Sequence, residues 1–161
     1  MIVGADFLAL VLRCAPLVAP RTMAAIVARE SGGRAFAIGD NTDRRSYFPR
    51  GLAAAQQLAG RLARAGHDLD LGYAQVNLKT ARRLGVQLPR TLEPCMNLAL
   101  GARVLGEDYR AARRRYGDRR SAIMHALSAY NSGDFNASRR YAEDVRTVAK
   151  HIRFRKRALY R

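Results

Sequence analysis

The chain has no run of eighteen apolar residues, so nothing in it reads as a transmembrane helix. It has only two cysteines, Cys14 and Cys95, neither of them in a CxxC pair, and three scattered histidines. No group of these residues has the spacing of a metal site, so neither a metal nor a cofactor is expected. β-branched residues are sparse, and there is no sustained heptad run and no internal repeat. This disfavours sheet-rich folds and long coiled coils, while the abundant alanine, leucine and arginine favour helix. Acidic residues are also few. Against 29 lysines and arginines stand 13 aspartates and glutamates, giving a formal charge of +16. Such a surface attracts polyanions, whether nucleic acid, anionic lipid or an acidic wall polymer. Phe7 to Leu12 is apolar, but Asp6 precedes it and no basic segment leads into it, so it does not read as an intact signal peptide. At 161 residues the chain is expected to form a single domain over 1–161, with a basic, frayed tail over about 153–161.

The most informative stretch is Pro20 to Gly33. Met23, Ile26, Val27 and Glu30 recur at helical spacing, with Thr22 as an expected N-cap and Gly32 and Gly33 as stops. Glu30 then ends an apolar helix. Burial and the negative end of the helix dipole both disfavour its ionised form. Two readings follow: a proton donor with a raised pKa, or a surface glutamate on a fraying last turn.

Elsewhere the periodicity predicts a first helix capped by Asp6 and reaching about Cys14, broken off by Pro16 and Pro20. Residues 34–51 lack periodicity and read as a long loop with a possible short hairpin, able to form a wall of a cleft. A helix is predicted over Leu52 to Ala65, and a short one from its cap Asn77 to Gly85. Pro89 to Pro94 reads as a connector and Asn97 as the cap of the next helix. Two more helices follow, one ending at Tyr130–Gly133 and one starting near Ala137. Asp40, Asp43, Asp68 and Asp70 are placed in loops with no evident fixed partner. Arg110 and Arg113 to Arg115 read as a solvated helix face. Three polar islands interrupt the apolar pattern, Glu30–Ser31, Gln75–Asn77 and Tyr130–Asn131. Each lies at a helix end, where side chains from separate elements can converge on a cleft.

These islands carry a resemblance. Glu30-Ser31-Gly32, the Ala37–Asn41 segment AIGDN, Gly72–Asn77 (GYAQVN), Ala129-Tyr130-Asn131 and the pair Tyr141 and Val145 resemble, in order and spacing, the motifs of lysozyme-like lytic transglycosylases. The likeness is greatest to the small members associated with type IV secretion systems, and it covers the chain from Cys14 to about Val148. Tyr73 and Ala74 depart from the commoner Leu and Met of the second motif, and Ser132 and Asp134 from the residues that usually follow the third. The resemblance implies a mainly α, lysozyme-like (goose-type or SLT) domain with a long loop or small hairpin beside the cleft. It implies Glu30 as the catalytic residue and Ser31, Gln75, Asn77, Tyr130, Asn131 and Tyr141 as substrate-binding residues. It also implies a disulfide between Cys14 and Cys95, and hence the periplasm.

The reaction implied is cleavage of the MurNAc-β-1,4-GlcNAc bond of peptidoglycan with formation of a 1,6-anhydro ring, for local wall opening during secretion-system assembly. The implied partners are glycan strands and secretion-system subunits, with no specific nucleic acid, and a monomer is expected. A hydrolytic muramidase and a non-catalytic wall-binding scaffold are the alternatives.

Overall fold

The computed structural model describes residues 2–155. In chain order these form β1 (Ile2–Val3), α1 (Ala5–Cys14), α2 (Pro20–Glu30), β2 (Ile38–Asp40), β3 (Arg45–Tyr47), α3 (Leu52–Arg64), β4 (Leu69–Leu71) and β5 (Val76–Asn77). There follow α4 (Leu78–Arg83), α5 (Leu88–Thr91), α6 (Pro94–Tyr116), α7 (Arg119–Ser132), α8 (Arg139–His151) and β6 (Arg153–Phe154). The chain is mainly helical, with small sheets. Among the described residues, no helix is long and apolar enough to cross a membrane.

The chain divides into two compact units, one of Ile26–Gly101 and one of Met1–Ala25 with Ala102–Arg161. In the first, β3-β2-β4-β5 form an antiparallel sheet. The segment between Glu30 and α3 thus contains the short hairpin that was open from sequence, and its middle strand extends into a larger sheet. Side chains alternate across strands. Ile38, Leu69 and Leu71 point to one face and join Ala55, Ala59, Leu78 and Leu92 in a buried cluster. Leu52, Leu58 and Leu62 of α3 pack against it, making its apolar stripe the packing face; Ala65, the last residue of the predicted helix, is the exposed C-cap. Each fully buried Leu or Ile here is worth roughly 1.5–3 kcal/mol.

In the second unit α7 packs on α8. Ala122, Ala126, Leu127 and Ala129 are buried on α7, and Tyr141, Ala142 and Val145 on α8. β1 pairs in parallel with β6. Arg153 and Phe154, placed in a frayed tail by sequence, are therefore ladder residues; 156–161 of that tail lie outside the described residues. Cys14 and Cys95 are disulfide-bonded.

Several expected boundaries move. Gly4 is the N-cap of α1, and Asp6 sits in its first turn. Pro20 opens α2 instead of breaking the chain, because proline at a helix start gives up only an N–H that has no partner there. Thr22 is consequently inside the helix. The 89–94 connector contains all but the first residue of α5, with Pro89 in its first turn, and the first residue of α6. Asn77 does cap α4, accepting from the Lys79 amide at 2.9 Å.

Candidate functional site

Glu30 is the last residue of α2 and is half-buried. The carbonyls of a last helical turn need outside donors. Here the Val27 carbonyl accepts from the Ser31 amide at 3.1 Å, the Gly33 amide at 3.3 Å and the Ser31 hydroxyl at 3.1 Å. Ser31 itself is buried. Gly32 at φ 61° and Gly33 at φ 81° then turn the chain away, a conformation glycine adopts without strain. The Arg34 guanidinium donates to the Ser31 carbonyl at 3.3 Å and lies over the exposed Phe48 ring at 4.7 Å. The turn after Glu30 is thereby tied to the residue following β3. Sequence reasoning singled out neither Arg34 nor Phe48, since a guanidinium-ring contact leaves no periodic trace.

The AIGDN and GYAQVN segments lie side by side in the sheet. Across the ladder Gly39 pairs with Asp70, and Asp70 with Asn77. Alternation puts this row on the face opposite the buried Ile38 and Leu71. The Gly72 amide donates to the Ala37 carbonyl at 2.8 Å. Gln75 sits at φ 44°, uncommon outside glycine. Its side-chain amide donates to the carbonyls of Gly72 at 2.8 Å and Ala37 at 3.2 Å, which holds that backbone in place. A Cβ at Gly39 would stand 2.9 Å from the Gln75 Oε1, so the glycine makes room for the glutamine. Asn77 Nδ2 donates to Asp70 Oδ1 at 2.9 Å and Asp68 Oδ1 at 3.1 Å while its Oδ1 caps α4. Gln75 and Asn77 are thus brought together with the 37–41 segment, and both amides are already bonded within the protein. Burial pushes the Tyr73 hydroxyl above its ordinary pKa, so it stays protonated.

Asp40 and Asp70 are strand residues and not loop residues as expected, Asp43 and Asp68 do lie in turns or loop, and Asp40, Asp68 and Asp70 have fixed partners. Asp40 is a strand residue on the buried face. Its Oδ2 meets His67 Nδ1 at 2.8 Å, and its Oδ1 accepts from the amides of Thr42 and Asp43 at 3.1 and 3.3 Å. Burial pushes its pKa up, but the His67 hydrogen bond and charge and the two amides together outweigh this and hold it below the ordinary value. Asp68 is lowered chiefly by the Asn77 hydrogen bond, with Lys79 and Asn41 adding to it against partial burial. Asp70, in β4, accepts Asn77 on one oxygen and Asn41 on the other, the latter at 2.9 Å. Asp40, Asp43 and His67 bring ligand-type atoms within 4.8 Å of one another. Their geometry is accounted for by the hydrogen-bonded turn at Asp40.

Asn97 is the polar residue most misjudged from sequence. It is not a cap but lies inside α6, fully buried. Its amide donates to the carbonyls of Leu71 at 2.7 Å and Thr91 at 2.9 Å, and its Oδ1 accepts from the Ala74 amide at 2.8 Å. It therefore fixes the backbone of the second motif. A polar side chain next to the apolar stripe of α6 was the signal that could have found it.

In the other unit, Tyr130 and Asn131 lie in the last turn of α7, Tyr130 half-buried and Asn131 exposed. The Asn131 amide donates to the Ser138 hydroxyl at 2.8 Å, bracing the turn into α8. Tyr141 is buried on α8.

Residues 9–152 match the family described as Transglycosylase SLT domain. Protein virB1 of Agrobacterium fabrum (strain C58 / ATCC 33970) is 36% identical over 141 residues, covering 86% of this chain and 57% of the relative. The type IV secretion system protein virB1 of Brucella abortus biovar 1 (strain 9-941) is 39% identical over 130 residues, covering 80% of this chain and 55% of the relative. Protein virB1 of Rhizobium radiobacter is 32% identical over 151 residues, covering 92% of this chain and 63% of the relative. The chain thus spans little more than half the length of these curated relatives. No solved structure matches it. A family match running from within α1 to the end of α8, over all the motif residues described above, makes the chain a member of the Transglycosylase SLT domain family.

Proposed function

We propose that this chain is a peptidoglycan lytic transglycosylase acting as one catalytic domain, with Glu30 as its acid and base. The observation that carries the reading is the place of Glu30 within the family match: half-buried, last in α2, before a turn held by Ser31 and two glycines. Partial burial and the helix C-terminus both favour the neutral acid that the first step needs. Glu30 would give its proton to the glycosidic oxygen as the bond from C1 breaks. As carboxylate it would then take the proton of the muramic 6-hydroxyl while that oxygen bonds to C1, closing the 1,6-anhydro ring. The nucleophile belongs to the substrate, so a second carboxylate to activate water is not required, unlike in ordinary glycosidases. The commitment of Asp40, Asp68 and Asp70 to hydrogen bonds within the protein supports this single-carboxylate reading.

Ser31, Gln75, Asn77, Tyr130, Asn131 and Tyr141 take supporting roles in holding the sugars and the acid. For Gln75 and Asn77 the role is to shape the backbone as much as to touch substrate. The relative named as a type IV secretion system protein supports wall opening beside such an apparatus, with its subunits as partners. The disulfide supports a periplasmic location.

Mass spectrometry of products from purified sacculi tests the proposal. The wild-type chain should release anhydro-muropeptides, and E30Q should lose about 10²–10⁴-fold of that activity while keeping its fold. Products heavier by one water would make the chain a hydrolase, and a substantial anhydro yield from E30Q would remove Glu30 from its role.

A further inference from the structure

A cavity of about 500 Å³ lies in the α7–α8 unit, and none of the expected catalytic or sugar-binding residues lines it. On α8, Tyr141 and Val145 take the buried face. Arg139, Glu143 and Arg146 stand on the exposed side and line the cavity. Its wall on α7 is Arg120, Ser121, Met124, His125 and the buried Ser128, and Phe135 lines it from the connecting turn.

That wall is held in shape. The Ser128 hydroxyl donates to the Asp134 carbonyl at 2.8 Å and accepts from the Ser138 amide at 2.9 Å. Asp134 Oδ1 accepts from the amides of Asn136 at 2.7 Å and Ala137 at 3.0 Å. His125 stacks on Tyr116 with ring centroids 3.6 Å apart, and Phe135 meets Tyr116 edge-on. His125 Nδ1 lies 2.9 Å from the Phe135 carbonyl, which can only accept. The imidazole therefore carries its proton on Nδ1, and Nε2 is the nitrogen not used by that bond.

The charge at the cavity is unbalanced. Three guanidinium groups, Arg120, Arg139 and Arg146, face two carboxylates, Asp118 and Glu143. Asp118 is occupied as the cap of α7, accepting from the Ser121 amide at 2.6 Å. Glu143 reaches Arg139 only at 4.0 Å, with both largely exposed, a contact of little energetic weight. Arg120 stands beside the Asp118 carboxylate, and Arg146 presents a planar fork suited to carboxylates, with the His125 and Phe135 rings in the same lining. A preformed, part-apolar cavity of this size with a few convergent polar groups fits a small ligand or a chain end.

We propose that this cavity is a second binding site, away from Glu30 in function, which takes the free carboxylates of the peptide stems on the wall polymer. It rests on the peptidoglycan reading for the identity of its ligand. It would hold the enzyme to stems while Glu30 acts on the glycan.

The test is calorimetric titration of the full chain with the tetrapeptide stem, unamidated and with its carboxyl groups amidated, alongside backbone and imidazole NMR shifts. The unamidated stem should bind, shift the signals of His125 and Phe135 and weaken as salt rises. Amidation and R146Q should each weaken it about tenfold, with R146K recovering part of the loss. Equal binding of the two stems, or unchanged binding to both R146Q and the R120Q/R146Q pair, overturns the site. E30Q separates this from the catalytic reading, because it should bind stems as the wild type does. If E30Q is inactive and stems do not bind, only the cavity assignment fails. If stems bind through Arg146 and E30Q still yields anhydro products, only the Glu30 assignment fails.

Discussion

At the scale of single residues, the pair Gly72 and Asn97 shows how closely this site depends on local geometry. Gly72 has φ 76°, and a Cβ built there would lie 2.5 Å from Asn97 Cγ. Asn97 cannot move aside cheaply, because three hydrogen bonds hold it to Leu71, Thr91 and Ala74. G72A therefore combines a left-handed alanine with the loss of buried hydrogen bonds. Urea unfolding should reveal a loss of about 2–4 kcal/mol. An unchanged midpoint would mean that the close approach of Gly72 to Asn97 has no energetic content. The sequence concealed the partner of Gly72, because the groups that Asn97 satisfies at Leu71 and Ala74 come from a segment remote in the chain.

At the scale of elements, the long helices were legible, while short α5 and the strands beyond the β2–β3 hairpin were not. α3, α6, α7 and α8 are long enough for a 3.6-residue period to repeat, and their stripes are largely the buried faces. β2, β4 and β5 are two or three residues long, too short to display alternation. Their pairing, which sets the 37–41 segment against the 72–77 segment, follows from tertiary contacts that a local pattern does not encode. Asp40 and Asp68 sit at this sheet, and Asp118 caps α7. Asp40, Asp68 and Asp118 all have folded pKa values below 3.8, by hydrogen bonds and, for each, a nearby cation. Depressed carboxylates contribute stability that is fully present above the unfolded value and is lost as pH falls through the folded one. Stability should therefore be steady down to about pH 5 and decline once the pH drops below 3.8. D68N, which can still accept from Asn77, should flatten part of that decline. A wild-type acid limb matched by D68N at every pH would contradict the assignment of Asp68.

At the scale of the whole molecule, a formal charge of +16 repels itself in any compact state and leaves less margin for losses elsewhere. The disulfide works against this through the unfolded chain. Linking Cys14 to Cys95 closes a long loop, which removes many conformations from the unfolded ensemble. The resemblance to secretion-linked proteins implied this bridge, which the absence of a CxxC pair does not by itself indicate. Long loops gain most in the chain-entropy account, and native bridges are worth about 2–5 kcal/mol. Cys95 is exposed and Cys14 buried, so reductant has access from one side. Urea unfolding of the oxidised chain, the reduced chain and C14A/C95A should give a loss of about 2–5 kcal/mol for both altered forms. The double variant should be insensitive to reductant. If reduction leaves the midpoint in place, the bridge is not a source of stability, and the case it makes for an oxidising compartment weakens with it.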